Sequence, residues 1–150
     1  MNICNNIIVF NNFLSNDQIN NCMNAFNSSE HVEKFNDRLI TRPQEVKGHE
    51  DIVKKCEDCI NLKVQWWQIV KCPVGSIFNK HNDTSDKNTV ASFIIFLNDN
   101  FQGGHLIFSD GIIVYPKKGR AVFFDGPNLE HEVNKNEDGD RYILAGWFCK

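Results

Sequence analysis

From Leu62 onward the chain alternates short runs of β-branched and aromatic residues with clusters of Pro, Gly, Asn and Asp. The runs are Val64–Val70, Ile77–His81, Val90–Leu97, His105–Phe108, Ile112–Tyr115, Ala121–Phe124, His131–Val133 and Tyr142–Phe148. Between them stand Pro73-Val74-Gly75, Asn98-Asp99-Asn100, Gly103-Gly104, Asp110-Gly111, Pro116 to Gly119, Gly126-Pro127-Asn128 and Asp138-Gly139. Runs of this length bounded by turn residues read as strands. About eight of them in succession predict a mostly β fold, a double-sheet barrel of the jelly-roll or cupin type.

The first 61 residues follow a different period. Ile7-Ile8-Val9-Phe10 reads as a short buried strand. Ser15 with Gln18 has the capping-box spacing, and Ile19, Cys22, Met23 and Phe26 then recur as one helical stripe. Residues 28–49 are polar and broken at Pro43 and Gly48, which predicts an irregular connection. Ile52, Val53, Cys56, Cys59 and Ile60 mark the apolar face of a second helix over Glu50–Ile60. The expected organisation is one domain over 1–150, with an N-terminal strand and helices (1–61) preceding a barrel core (62–150). No internal repeat or linker interrupts it.

Composition limits the partners. The chain has 150 residues, 41% of them apolar, with 12 Phe and 3 Trp to fill a core. A net charge of -3 and the lack of a basic block argue against a nucleic-acid partner held by phosphate neutralisation. No apolar run approaches the ~20 residues of a membrane span. Met1-Asn2-Ile3-Cys4-Asn5-Asn6 carries neither a basic region nor an apolar one, so an intracellular, cytoplasmic location is expected. The 6 Cys form no regular framework. Cys56-Glu57-Asp58-Cys59 has no second pair to complete a zinc site and reads as core thiols on a helix stripe. Cys4, Cys22 and Cys149 have no evident partner.

One constellation carries chemistry. His81 and Asp83 stand at i and i+2, on one face of an extended segment. His131 follows on a later strand, and Arg141 comes ten residues after it. A bare His-x-Asp is usually a polar pair in a loop; the conjunction with the distant His and the Arg is what gives it weight. Two His and a carboxylate are the ligands of a facial triad for non-haem Fe(II), a set that also accepts Zn or Mn. Arg141 opens an apolar strand, and its guanidinium suits a carboxylate. Together they point to an oxygenase that consumes a 2-oxo acid. His31 and His49 fall in the polar stretch and read as surface groups. His105 is the one substitute ligand. Trp66-Trp67 point to opposite faces of a strand, one towards the core and one towards the surface or a substrate groove.

The stretch from Val64 to Phe148 resembles the catalytic domain of the prolyl 4-hydroxylase-like Fe(II)/2-oxoglutarate dioxygenases. The matching pieces, in order, are Pro73 to Asp83, Phe96-Leu97-Asn98, Gly103 to Phe108, Pro116 to Phe124, His131-Glu132-Val133, Gly139 to Leu144 and Trp147-Phe148. The N-terminal strand and helices are similar to the family's entry as well. The resemblance implies a double-stranded β-helix core, Fe(II) on His81, Asp83 and His131, and Arg141 on the distal carboxylate of 2-oxoglutarate. Oxygen would be the other cosubstrate and ascorbate a reductant. Trp147, on Arg141's face, corresponds to a wall of the pocket. Asp83 argues against the halogenating members, which lack the carboxylate, and Trp147 against nucleic-acid demethylating ones, which carry an Arg there. The implied reaction is hydroxylation of a C–H bond in a prolyl residue of a polypeptide. Residues 28–49 and 84–88 are the loops placed to close over an extended chain.

The sequence also departs from the pattern. Cys72 and Phe96 stand where many members carry Tyr hydroxyls near the cosubstrate, and His105-Leu106 replaces the Glu-Thr that often follows the double Gly. Ser92, four residues before Phe96 on the same strand face, is the expected replacement contact for 2-oxoglutarate. The alternatives are a hydroxylase of a free amino acid or other small molecule, and a non-catalytic metal-binding barrel that has lost cosubstrate binding. The sequence does not fix the oligomeric state.

Overall fold

The computed structural model describes residues 7–150, so Cys4 and the reading of the first six residues lie outside it. The elements run β1 (Ile7–Phe10), α1 (Asn16–Ser28), β2 (Glu33–Phe35), β3 (Arg38–Thr41), α2 (His49–Ile60), β4 (Lys63–Cys72), β5 (Phe78–His81) and β6 (Ala91–Phe96). They continue with β7 (Gln102–Gly103), β8 (Leu106–Phe108), β9 (Ile113–Val114), β10 (Ala121–Phe124), β11 (His131–Val133), β12 (Asn136–Asp138) and β13 (Arg141–Cys149). A seven-stranded sheet has the order β1-β10-β6-β13-β4-β3-β2, a four-stranded sheet the order β5-β11-β8-β9, and β12 pairs with β7 in a short ribbon. Every pairing is antiparallel.

The helices start where local chemistry dictates. Ser15 Oγ accepts from the Gln18 backbone N–H at 3.1 Å, and Gln18 Oε1 accepts from the Ser15 N–H at 3.0 Å. Such a cap stabilises a helix by ~1 kcal/mol. Helix α2 has no side-chain cap; Glu50 and Asp51 in its first turn complement the helix dipole instead. Asn61, left-handed at φ 54°, ends it.

Strand alternation divides the large sheet between two cores. Trp67, Ile69, Phe93, Ile95, Phe123, Leu144 and Phe148 face the helices and pack on Ile19, Cys22, Phe26, Ile52 and Cys56. Val70, Cys72, Phe96, Val122, Phe124 and Ile143 face the small sheet and meet Leu106, Phe108, Val114 and Val133. The run Ala121-Val122-Phe123-Phe124 is continuously apolar because both of its faces are covered. Phe123 and Phe148 are fully buried, a burial that contributes ~2–3 kcal/mol for each ring. Trp67 belongs to the helix-side core while Trp66 is exposed, as neighbours on a strand must divide. Among the described residues no helix is long and apolar enough to cross a membrane.

Residues 28–49 are more regular than their composition predicts. Strands β2 and β3 form a hairpin through Asn36-Asp37, with Asn36 at φ 55°, and β3 adds to the edge of β4 through Leu39↔Lys71 and Ile40↔Val70. Glu33, Lys34 and Phe35 are all exposed, so no hydrophobic alternation announces this edge strand. Strand β4 runs to Cys72 rather than stopping at Val70. That extension brings Cys72 opposite Arg141.

Candidate metal centre

Strands β5 and β11 pair in register, with His81 directly opposite His131. Asp83 follows two residues later, and its backbone N–H donates to the Gly126 carbonyl at 2.9 Å. One ligand atom from each of His81, Asp83 and His131 lies within 4.8 Å of the others. Both His Nε2 atoms stand 3.4 Å from Asp83 Oδ1. That spacing is long for a strong hydrogen bond. It suits ligands around one ion, since two donors ~2.1 Å from a metal and at right angles lie ~3 Å apart. His105 is elsewhere, its ring 4.6 Å from that of Tyr115, and it takes no part in the cluster.

The partners of these three side chains fix which atoms face the centre. His81 Nδ1 lies 2.7 Å from the Asn79 carbonyl and His131 Nδ1 lies 2.8 Å from that of Leu129. A carbonyl only accepts, so each Nδ1 carries the proton and each neutral ring presents its Nε2 lone pair. Asp83 Oδ2 accepts from Ser92 Oγ at 2.6 Å and from Trp147 Nε1 at 3.2 Å, which leaves Oδ1 to the centre. Burial opposes ionisation of Asp83, but hydrogen bonds from His131 and His81 in their protonated forms and from Ser92 outweigh it and hold the carboxyl far below its usual range. The hydrogen bond to Asp83 raises the pKa of His81. In electrostatic terms, the residues form a site made for a cation.

Ser92 lines the same inner cavity as Arg141, and its hydroxyl donates to Asp83. Trp147 lines the inner cavity and also orients Asp83. A Cβ at Gly126 would collide with both Ser92 and Asp83, so this glycine makes room for the pair. Nothing in the sequence pattern signals the Trp147 and Gly126 contacts.

Arg141 enters the same cavity of about 70 Å³, together with His81, Asp83, Ser92, His131 and Trp147. Its side chain is 1% exposed. Nη1 donates to Cys72 Sγ at 3.6 Å, whereas Nε and Nη2 have no partner among the described residues. The guanidinium carbon stands 5.4 Å from the Phe96 ring centroid. Two glycines and two asparagines hold Arg141 in place. Gly104, at φ 66°, lies so close that a Cβ would meet Arg141 Cδ at 2.8 Å, and a Cβ at Gly103 would strike the Lys135 carbonyl. Asn98 Oδ1 accepts from the Tyr142 N–H at 2.8 Å while its amide donates to the Asp140 carbonyl at 2.8 Å. Buried Asn136 donates to the carbonyls of Cys72 at 3.0 Å and Gly139 at 2.8 Å. Asn98 reads in the sequence as a turn residue and Asn136 carries no signal at all.

A buried guanidinium with orphaned donors calls for an anion, and beside it stands a complete triad. Residues 67–149 match the 2OG-Fe(II) oxygenase superfamily. The chain belongs to that superfamily. Membership implies Fe(II) and 2-oxoglutarate with O2, and the donor set of this 2OG-Fe(II) oxygenase fits them. No curated protein matches it by sequence.

Solved structures share its fold. The viral collagen prolyl hydroxylase of Paramecium bursaria Chlorella virus-1, in complex with 2OG, superposes with a TM-score of 0.79 at 21% identity, covering 97% of this chain and 98% of that one. A prolyl-4-hydroxylase of Pseudomonas putida gives 0.75 at 20% identity, with 97% and 92% covered. A Trichoplax adhaerens prolyl hydroxylase, in complex with a peptide fragment of the hypoxia inducible factor oxygen degradation domain, gives 0.73 at 16% identity, with 97% and 84% covered. These likenesses show the double-stranded β-helix fold for this oxygenase.

Proposed function

We propose that this oxygenase is a dioxygenase that hydroxylates a C–H bond of a prolyl residue in a polypeptide. It would hold Fe(II) on His81, Asp83 and His131 and 2-oxoglutarate on Arg141, with ascorbate as reductant. The observation that carries the cosubstrate assignment is Arg141, buried with two orphaned nitrogens in the cavity that the triad lines.

Bound iron supplies oxygen activation coupled to oxidative decarboxylation of the 2-oxo acid. The protein's own contribution is placement. Nε2 of each His and Oδ1 of Asp83 would hold the ion, and Ser92 and Trp147 keep Asp83 from rotating to present its other oxygen. Arg141 would hold the far carboxylate of the cosubstrate and so restrict its orientation in the cavity. Phe124, Val133, Ile143 and Ala145 line the cavity with apolar surface and keep water from the reacting atoms.

The polypeptide reading rests on the surroundings of that cavity. An outer cleft of about 450 Å³ adjoins it, sharing Phe78, His81, Ile143, Ala145 and Trp147. Its rim carries exposed Phe35, and exposed Trp66 stands beyond Gln68 on the same face. Aromatic surfaces beside an open cleft suit an extended proline-containing chain. The likeness to three prolyl hydroxylases supports the same reading.

The test is incubation of the Fe(II)-loaded protein, 2-oxoglutarate and ascorbate with proline-rich peptides and, separately, free amino acids. Mass spectrometry should find a one-oxygen gain on a prolyl residue of the peptide. Oxidation of free amino acids alone would overturn the peptide reading and leave the oxygenase assignment standing.

A further inference from the structure

Arg141 is not the only guanidinium on this face of the large sheet with a buried nitrogen that lacks a hydrogen-bond partner. The register of β3 on β4 sets Leu39 opposite Lys71, and the next step places Arg38 beside Cys72. On its other side Cys72 pairs with Arg141. Arg38, Cys72 and Arg141 thus form one row across β3, β4 and β13, with a neutral thiol between two guanidiniums. Residues paired across antiparallel strands share a face and lie ~4.5–5.5 Å apart, so two long side chains flanking one short residue converge above it.

The local chemistry of Arg38 matches that of Arg141. Its guanidinium carbon sits 3.3 Å from the Phe78 ring centroid, and Phe78 lines both the inner cavity and the outer cleft. Arg38 Nε is buried without a hydrogen-bond partner. Asp37 at the hairpin turn brings a carboxylate oxygen to 3.4 Å of that nitrogen, outside hydrogen-bonding geometry, and remains half exposed to solvent. Burial lowers the pKa of Arg38. Burial raises the pKa of Cys72, so the residue between the two cations supplies no compensating charge. Around Arg38 the outer cleft is lined by Lys80 and His81 and by no carboxylate. The inner cavity adjoins the outer cleft that Arg38 lines, the two sharing Phe78, His81, Ile143, Ala145 and Trp147.

We propose that Arg38 and Arg141 form a two-guanidinium clasp, in which Arg38 is a second cationic contact for the dicarboxylate cosubstrate that Arg141 anchors. The clasp rests on the cosubstrate assignment made above. It makes Arg38 a specificity-determining residue: its preference is for 2-oxo acids that carry a second carboxylate. It also gives the β2–β3 hairpin a function in cosubstrate binding, since the hairpin is what brings Arg38 to the row.

Calorimetric titration of the Mn(II)-loaded protein without oxygen separates the possibilities. The ligands are 2-oxoglutarate and 2-oxobutyrate, which keeps the 2-oxo acid but lacks the distal carboxylate. Arg38→Gln should weaken 2-oxoglutarate binding about tenfold or more, the scale of a lost charge-assisted hydrogen bond, and leave 2-oxobutyrate binding unchanged. Arg38→Lys should recover part of the loss, which a merely structural role would not produce. An Arg38→Gln protein that binds 2-oxoglutarate as the wild type does, while Arg141→Met does not, would overturn the clasp alone. A raised KM for the peptide with unchanged cosubstrate affinity would likewise overturn it and assign Arg38 to the primary substrate. If the wild-type protein binds no 2-oxoglutarate, the cosubstrate assignment fails and the clasp with it.

Discussion

Exchanging Arg141 for Met should make the ligand-free protein more stable and blind to 2-oxoglutarate. Without ligand the guanidinium makes one weak N–H···S contact and stands 5.4 Å from the Phe96 centroid, while Nε and Nη2 are buried and unmatched. Each orphaned donor costs ~1–3 kcal/mol, and the cation–π contact returns only ~0.5–1 kcal/mol. Met fills much of the same volume with no polar atom, and replacing buried charge by apolar side chains gains ~1–4 kcal/mol in comparable sites. A net gain of ~1–3 kcal/mol follows, or roughly 3–10 °C in Tm for a chain of this length. Urea unfolding and thermal scans should be run with and without 2-oxoglutarate on metal-loaded protein. At a hundredfold excess over Kd the wild type should gain ~2.7 kcal/mol from the ligand, and the variant nothing. A ligand-free variant less stable than wild type by more than ~1 kcal/mol would refute the reasoning, because Arg141 would then be satisfied by the fold itself.

Three other perturbations have defined outcomes. Ser92→Ala and Trp147→Phe each remove one of the two donors to Asp83 Oδ2 and should weaken metal binding ~10-fold or more in a competition titration with a chelator; unchanged affinity would show that Asp83 needs no support. Gly104→Ala forces a side chain onto φ 66° and into Arg141 Cδ, so it should cost over ~1 kcal/mol in urea unfolding and also raise the 2-oxoglutarate Kd. Burial pushes the thiols of Cys22 and Cys56 up from 9.0 to about 12, so the folded state keeps protons that the unfolded state loses above pH 9. Stability should therefore fall with rising pH in that range, by up to ~1.4 kcal/mol per unit for each thiol, and Cys22→Ala with Cys56→Ala should flatten the slope.

Much of the site was legible because its residues have few other uses. His81 and His131 sit on short strands set among strongly apolar runs such as Ala91–Phe96 and Ala121–Phe124, and Asp83 follows two residues after His81. The strands that were missed lack that pattern. β2 is exposed throughout, and β7 and β12 are short pieces around Gly103 and Asn136 held by one another. Contacts made through single polar atoms were equally hidden. The strand period placed Ser92 on the correct face, yet only the three-dimensional arrangement shows that its hydroxyl reaches Asp83 before anything else. Arg38 was lost for a compound reason: it lies on an edge strand with no periodicity, and its meaning depends on the pairing of three strands.

The central claim is that one site binds a divalent metal and 2-oxoglutarate together. Anaerobic calorimetry of the Mn(II)-loaded wild type, His131→Ala and Arg141→Met proteins tests it directly. The wild type should bind one metal ion per chain and then one 2-oxoglutarate. His131→Ala should lose both, and Arg141→Met should keep the metal and lose the 2-oxo acid. Saturable 2-oxoglutarate binding that survives both substitutions, or none in the metal-loaded wild type, would contradict the account.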